Sequence, residues 1–201
     1  AALRVAFDRE YKSGFIDPVD GAGEVDNEDV DAERTTAARA TLLWAPTDDL
    51  QVTATAHWQE TDSDDTGLTK LSLAPFQENR PVREPSEDIL FTPSVAVEKE
   101  FGAMTFTSIS GYVYRRFNRQ FDGTVYDSDY VASVLDPDFG STYEAIASLP
   151  GVMLTRDTME TYTQEFRLAS PSLSNTQARY EWQVGAFLSK QKIVSLVDEY
   201  G

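Results

Sequence analysis

The chain has 201 residues and 22.4 kDa, with 34 acidic against 17 basic residues and a net charge of −17. It is 41% apolar and 11% aromatic, enough to fold, while a mean hydropathy of −0.39 and no apolar run near about 18 residues exclude a membrane-spanning helix. Such acidity repels the phosphates of nucleic acids, and without cysteine there is no disulfide, thiolate zinc site or thiol chemistry.

Residues 3–12 set Leu3, Val5, Phe7 and Tyr11 against Arg4, Asp8, Glu10 and Lys12, the period-two pattern of a strand with one apolar and one wet face. A long acidic loop is expected over 15–33. Residues 36–44 resume the pattern with Ala38, Ala40, Leu42 and Trp44, and residues 50–60 place Leu50, Val52, Ala54, Ala56 and Trp58 opposite Gln51, Thr53, Thr55, His57 and Gln59. Apolar parity is even on both sides of Pro46, which asks for an odd-numbered turn such as 45–49, with Trp44 paired to Leu50. A second long loop covers 61–88.

Residues 94–100 and 104–117 read as strands joined at Phe101-Gly102. There apolar parity passes from Val95 and Val97 to Met104 and Phe106, as a two-residue hairpin turn requires. The alternation blurs at Ile109 and Val113. The third long loop, 118–160, contains helix-like pieces at 128–135 and 142–149, the second ended by Pro150-Gly151. Residues 162–169 alternate Phe166 and Leu168 with Glu165 and Arg167. After a short connection, Pro171 to Thr176, residues 178–190 alternate Tyr180, Trp182, Val184, Ala186 and Leu188 with Arg179, Glu181, Gln183 and Ser189.

Seven strands with alternating long and short connections form an up-and-down antiparallel sheet carrying all its long loops at one edge. Residues 15–33, 59–88 and 118–160 hold 24 of the 34 acids and 5 of the 17 bases, so the charge resides in the loops. A soluble sandwich also has one apolar face per strand, and in that architecture the three tryptophans are core residues. Four of the strand patterns, 3–12, 36–44, 50–60 and 178–190, run nine to thirteen residues, longer than the ~5–6 usual in soluble sheets and close to the ~9–11 of a tilted strand crossing a bilayer. Trp44 and Trp182 fall at the short-turn ends and Trp58 at the long-loop end, where membrane-interface aromatics are expected.

Three segments carry a family resemblance. Gln164-Glu165-Phe166-Arg167-Leu168-Ala169-Ser170-Pro171, followed by Tyr180-Glu181-Trp182-Gln183-Val184-Gly185-Ala186-Phe187, resembles a barrel hairpin of TonB-dependent receptors. Phe106-Thr107-Ser108-Ile109-Ser110-Gly111-Tyr112 is similar to a Thr-Ser-Ile-Thr-Gly-Tyr strand of that family, and Leu43-Trp44-Ala45-Pro46-Thr47-Asp48-Asp49-Leu50 to one of its early turns. The resemblance implies an all-β, antiparallel up-and-down transmembrane β-barrel of the Gram-negative outer membrane, of which residues 1–201 form a partial barrel domain.

A whole receptor would have about twenty-two strands around an N-terminal plug. No plug or energy-coupling box is recognisable, and Gly201 falls in what should be an opening loop, so an arc of a longer chain is expected. Ala1 is not preceded by a basic and then apolar leader, so any targeting peptide has been removed or lies outside these residues.

The resemblance further implies uptake of a scarce nutrient such as a ferric siderophore, cobalamin, haem or a saccharide, hence iron or siderophore transport. The implied partners are outer-membrane lipid and lipopolysaccharide, a small-molecule ligand, and the TonB energising complex acting through the missing N-terminal region. The alternatives are a passive porin, without a plug, and a soluble acidic β-sheet protein binding carbohydrate or calcium.

No enzyme chemistry, cofactor or metal site is expected, because no nucleophile-base pair or phosphate loop appears. Asp62-Ser63-Asp64-Asp65-Thr66-Gly67 begins like a calcium loop, but Leu73 stands where the bidentate Glu belongs. The acidic run from Asp26 through Glu33 suits a divalent cation or plain hydration. His57, the only histidine, belongs to the wet face as lumen lining, and Glu165 with Arg167 and Arg179 with Glu181 either pair across the wall or meet a plug, or form a hydrated polar lining.

In the third loop Tyr126, Asp127, Asp129, Tyr130 and Tyr143 are candidate ligand-binding residues. Aromatic faces beside carboxylates suit stacking on and hydrogen bonding to a sugar or another hydroxylated ligand. A self-packed extracellular cap is the alternative.

Overall fold

A computed structural model describes residues 1–20, 22–124, 128–147, 149–170 and 180–200. The elements in chain order are β1 (Ala2–Lys12), β2 (Asp17–Pro18), β3 (Glu33–Thr47), β4 (Leu50–Ser63), β5 (Gln77–Glu78), β6 (Ser86–Phe101), β7 (Met104–Asp122), α1 (Tyr130–Leu135), α2 (Ser141–Ala147), β8 (Val152–Ala169) and β9 (Gln183–Tyr200). Seven strands form one antiparallel sheet in the order β1-β3-β4-β6-β7-β8-β9, each long strand paired with the next long strand in sequence. The sheet does not close into a barrel: β1 and β9 each pair on one side only.

Several strands are longer than hydropathy alone suggests, so the second and third long connections shrink to 64–85 and 123–151, while the first runs over 13–32. Period-two hydropathy reports a strand only while one face is apolar. Toward the long-loop ends of β3, β4 and β6 both faces turn polar, and cross-strand bonds between side chains accompany the ladder around them. Arg115 chelates Asp88 (2.6–3.2 Å), Arg116 reaches Glu87 (3.2 Å), Lys12 meets Glu33 (2.7 Å) and Thr35 meets Thr61 (3.1 Å).

The turns follow the parity of the sequence, with one correction. Phe101 pairs with Met104 across Gly102-Ala103, and Gly102 takes a φ of +59°, as the first central residue of a type II′ turn demands. Trp44, however, pairs with Val52 and not with Leu50, while Thr47 pairs with Leu50. The turn is the two residues Asp48-Asp49, and a one-residue irregularity between Trp44 and Thr47 restores the even parity. Pro46 lies inside that irregularity, where it has no ladder hydrogen bond to donate. The Asp49 carboxylate takes Thr47 Oγ1 (2.6 Å) and the Lys99 ammonium, which ties this turn to β6. The bond to Lys99, then that to Thr47, holds Asp49 below the ordinary carboxylate range.

The register sorts the faces. Leu3, Leu42, Ala54 and Val95 form one cross-strand row, and Phe7, Ala38, Trp58, Phe91 and Tyr114 another. Arg39, His57 and Thr92 share a row of the opposite face, beside Thr41, Thr55 and Ser94. The division is clean from β1 to β6 and mixed from β7 to β9, where Ile109, Val113 and Phe117 join the polar side.

Nothing among the described residues covers the apolar face. Leu3 is 69% exposed, Phe7 70% and Leu188 63%, while Val52, Ala54 and Ala56 are half-buried by their sheet neighbours. The fully buried apolar residues lie elsewhere: Ile16, Val19, Val30, Ala32 and Val82 in the first two long connections and Ala132 in α1. The packed core therefore sits in the loops.

Candidate functional site

The first two long connections build one unit. β2 and β5 pair in parallel, Asp17 with Gln77 and Pro18 with Glu78, so residues from both loops enclose Ile16. Asp31 reaches across to accept the N–H groups of Phe15 (2.6 Å) and Ile16 (2.8 Å). Gly14 is required here, since a Cβ on it would stand 2.2 Å from the Asp29 carbonyl oxygen. Beneath, Arg80 joins three acids: Glu84 (2.6 Å), Glu78 (3.0 Å) and Asp65 (3.3 Å). Burial pushes the guanidinium down, but the three carboxylates, Glu78 first, outweigh it and leave Arg80 above its ordinary value.

This arrangement dismantles the calcium-like reading of Asp62 to Gly67. Asp64 chelates Arg34 (2.8 and 2.9 Å), and that bond holds its carboxyl below the usual range. Asp65 is buried and takes the N–H groups of Thr66 (2.7 Å) and Glu84 (2.9 Å). The acids turn to different partners and enclose no shared centre. Likewise, in the acidic run before β3, Asp31 serves as a backbone acceptor and Glu33 pairs with Lys12.

The third connection folds into α1 and α2. Tyr126 and Asp127 lie outside the described residues. Asp129 and Tyr143 are brought together: the Tyr143 phenol donates to the Asp129 carboxylate, which raises the phenol's pKa above the ordinary tyrosine value. Phe139 packs edge-on against Tyr143 with centroids 4.7 Å apart, and the Tyr143 N–H bonds Asp136 (3.1 Å). Tyr130 is 65% exposed and does not join them. The Asp129–Tyr143 bond joins the start of α1 to α2, so two of the candidate ligand contacts are hydrogen-bonded to each other.

Trp44 (50% exposed) and Trp182 (46%) flank the short connections, and Trp58 stands toward the long-loop end beside Phe91. Trp182 helps close its hairpin: Ser170 N–H donates to the Trp182 carbonyl and the Trp182 N–H to Ser170 Oγ, both at 2.9 Å. The connection expected from Pro171 to Thr176 lies outside the described residues. His57 faces Arg39 and Thr92 on the polar side and lines a hollow of about 530 Å³ with Asp8, Thr55 and Ser94. Glu165 and Arg167 form an ion pair along one strand.

Two features are invisible to local pattern. Glu60, Asp62 and Glu87 bring ligand oxygens within 4.8 Å of one another on adjacent strands, although Glu87 is already engaged by Arg116 and Asn118. Their meeting follows from the β4–β6 register, which pairs Asp62 with Glu87. On β7, Arg119 stands over Phe121 (4.3 Å) and Phe117 (5.3 Å) and donates to Thr155 (3.1 Å).

No family model, curated protein or solved structure matches this chain.

Proposed function

We propose that the sheet is an arc of the wall of an outer-membrane β-barrel, its apolar face toward lipid and its polar face toward the lumen, with the long connections outside the cell. One observation carries this reading: among the described residues nothing lies on the apolar face of seven long strands, while the packed core lies in the loops. In water such a face costs about 25 cal/mol for each exposed apolar Å², whereas hydrocarbon tails remove that cost. Strands of 11 to 19 residues reach across an apolar band and beyond it. The unpaired edges of β1 and β9 fit neighbours in a closed wall, because open edges do not occur in hydrocarbon.

Within that class, the resemblance to TonB-dependent receptors favours active uptake of a scarce nutrient, such as a ferric siderophore or a saccharide, captured by the external loops and driven past a plug by the inner-membrane energising complex. The segments that carry the resemblance fall on the short-turn halves of β3–β4, β7 and β8–β9, where the lipid-facing band belongs. The anionic loop surface is better suited to a neutral or cationic ligand than to a strongly anionic one.

The test is cell fractionation of the parent chain followed by electrophoresis with and without boiling. Recovery in outer membranes, with migration that changes on heating, is expected; a water-soluble monomer overturns the reading. Quenching by bromines placed at known depths in the acyl chains is expected to reach Trp44 and Trp182 at one leaflet and Trp58 at the other. A plug-free parent that passes solutes without an energy source makes it a porin.

A further inference from the structure

The apolar face carries charge of opposite sign on its two sides; on β9 the charges interrupt an apolar run that resumes at Val194 and Leu196, and Lys192 shares the cross-strand row of Trp58. On β4 and β6 it carries Glu60, Asp62 and Glu87. On β9 it carries Lys190 and Lys192, two residues apart and so on one face, both exposed and neither in an ion pair among the described residues. Lys190 lies opposite Tyr162, and Lys192 opposite Glu160. The Glu160 carboxylate accepts the Tyr112 phenol at 3.2 Å, and the Tyr112 and Tyr162 rings lie 4.7 Å apart. Just below comes Leu188, and Tyr112, Tyr162, Leu188 and Lys190 border a hollow of about 570 Å³ whose lining also includes Pro93 and Val95. Arg156 stands exposed on the same face of β8.

A lysine at the margin of a lipid-facing band lays its apolar stem on that band and lifts its ammonium to headgroup height, where tyrosines also settle. Two such lysines, paired tyrosines and an apolar hollow beneath them match an amphiphile with an anionic head. We propose that Lys190 and Lys192, flanked by Tyr112 and Tyr162, bind the phosphate-bearing headgroup of an outer-leaflet glycolipid, one acyl chain of which lies in the hollow at Leu188. The assignment rests on the barrel reading above, since a sheet that stays in water meets no leaflet.

The test uses the parent chain purified in nonionic detergent, with lipopolysaccharide and the same preparation stripped of its phosphates as probes. Each lysine near an anionic surface is worth about fivefold in affinity, so K190E/K192E is expected to bind the phosphorylated probe at least roughly 30-fold more weakly and the stripped probe as the wild type does. The difference should shrink as salt is added. K190Q/K192Q, which introduces no repulsion, should show the same direction of loss, and K70E, in the second loop, should bind like the wild type. Heat-modifiable migration is read on every variant. Equal binding of the phosphorylated probe by wild type and K190Q/K192Q in proteins that migrate as folded barrels overturns the lipid site alone, as does an equal loss in K70E. A parent chain that never enters the membrane overturns the barrel reading and the site with it.

Discussion

Tyr143 and Asp129, both candidate ligand contacts, are bonded to each other across α1 and α2. The phenol keeps its proton and donates a hydrogen bond to the carboxylate, and the Tyr143 pKa is thereby shifted upward. A group whose folded pKa is raised stabilises the fold fully below its unfolded value, about 10 for tyrosine, and ceases to do so as pH climbs through the raised value. The phenolate titration of wild type minus that of Y143F should therefore have its midpoint above about 10; a midpoint at or below 10 rules the bond out.

At Asp65 the stakes are higher, because the side chain is fully buried and two backbone N–H groups depend on it. D65A is expected to cost the loop unit about 2 kcal/mol, seen as faster hydrogen exchange over 14–32 and 64–85, whereas D65N keeps an acceptor and costs less. Equal exchange in D65A and wild type would remove this carboxylate from the structural account.

At the scale of strands, adjacent residues have opposite fates. Ala54 belongs to the uncovered row and Thr55 to the polar face, where its hydroxyl meets Thr41 (3.5 Å). If lipid lies on the first face, A54R should cost about 2–4 kcal/mol and reduce outer-membrane recovery of folded barrel, while T55R is tolerated. The opposite order, scored by heat-modifiable migration, would exchange the two faces.

The same contrast explains what could be read from sequence. Strand number, order and the hairpin at Gly102 were legible because each depends on parity, which a one-dimensional string preserves. The Trp44–Leu50 pairing was not, since Pro46 shifts the ladder without disturbing the alternation on either side. The upper parts of β6 to β8 were hidden too: Glu87 and Asp88, Asn118 and Arg119, and Arg156 and Asp157 continue the ladder with polar residues on both faces. In the candidate site, the crowding of Tyr143, Phe139 and Asp129 was visible as composition. That Asp129 turns inward to Tyr143, and that Arg80 gathers acids from sites up to 15 residues away, needed the fold.

For the molecule as a whole, two kinds of stability are kept apart. The loop unit around Ile16 has a buried core and ion pairs of its own, whereas the sheet depends on what surrounds it. Detergent removal should therefore abolish strand protection in hydrogen exchange while amides such as Val30, bonded to the Ile16 carbonyl (2.9 Å), lose less. Simultaneous loss would make loop and wall one cooperative unit. The bare margins of the sheet have a practical consequence. β1 offers a free edge 11 residues long and β9 one of 18, with the N–H and C=O of every second residue unpaired, so this sheet, produced in isolation, would zip onto copies of itself and grow into fibrils or inclusion bodies, a fate that closure into a ring would spare the proposed wall.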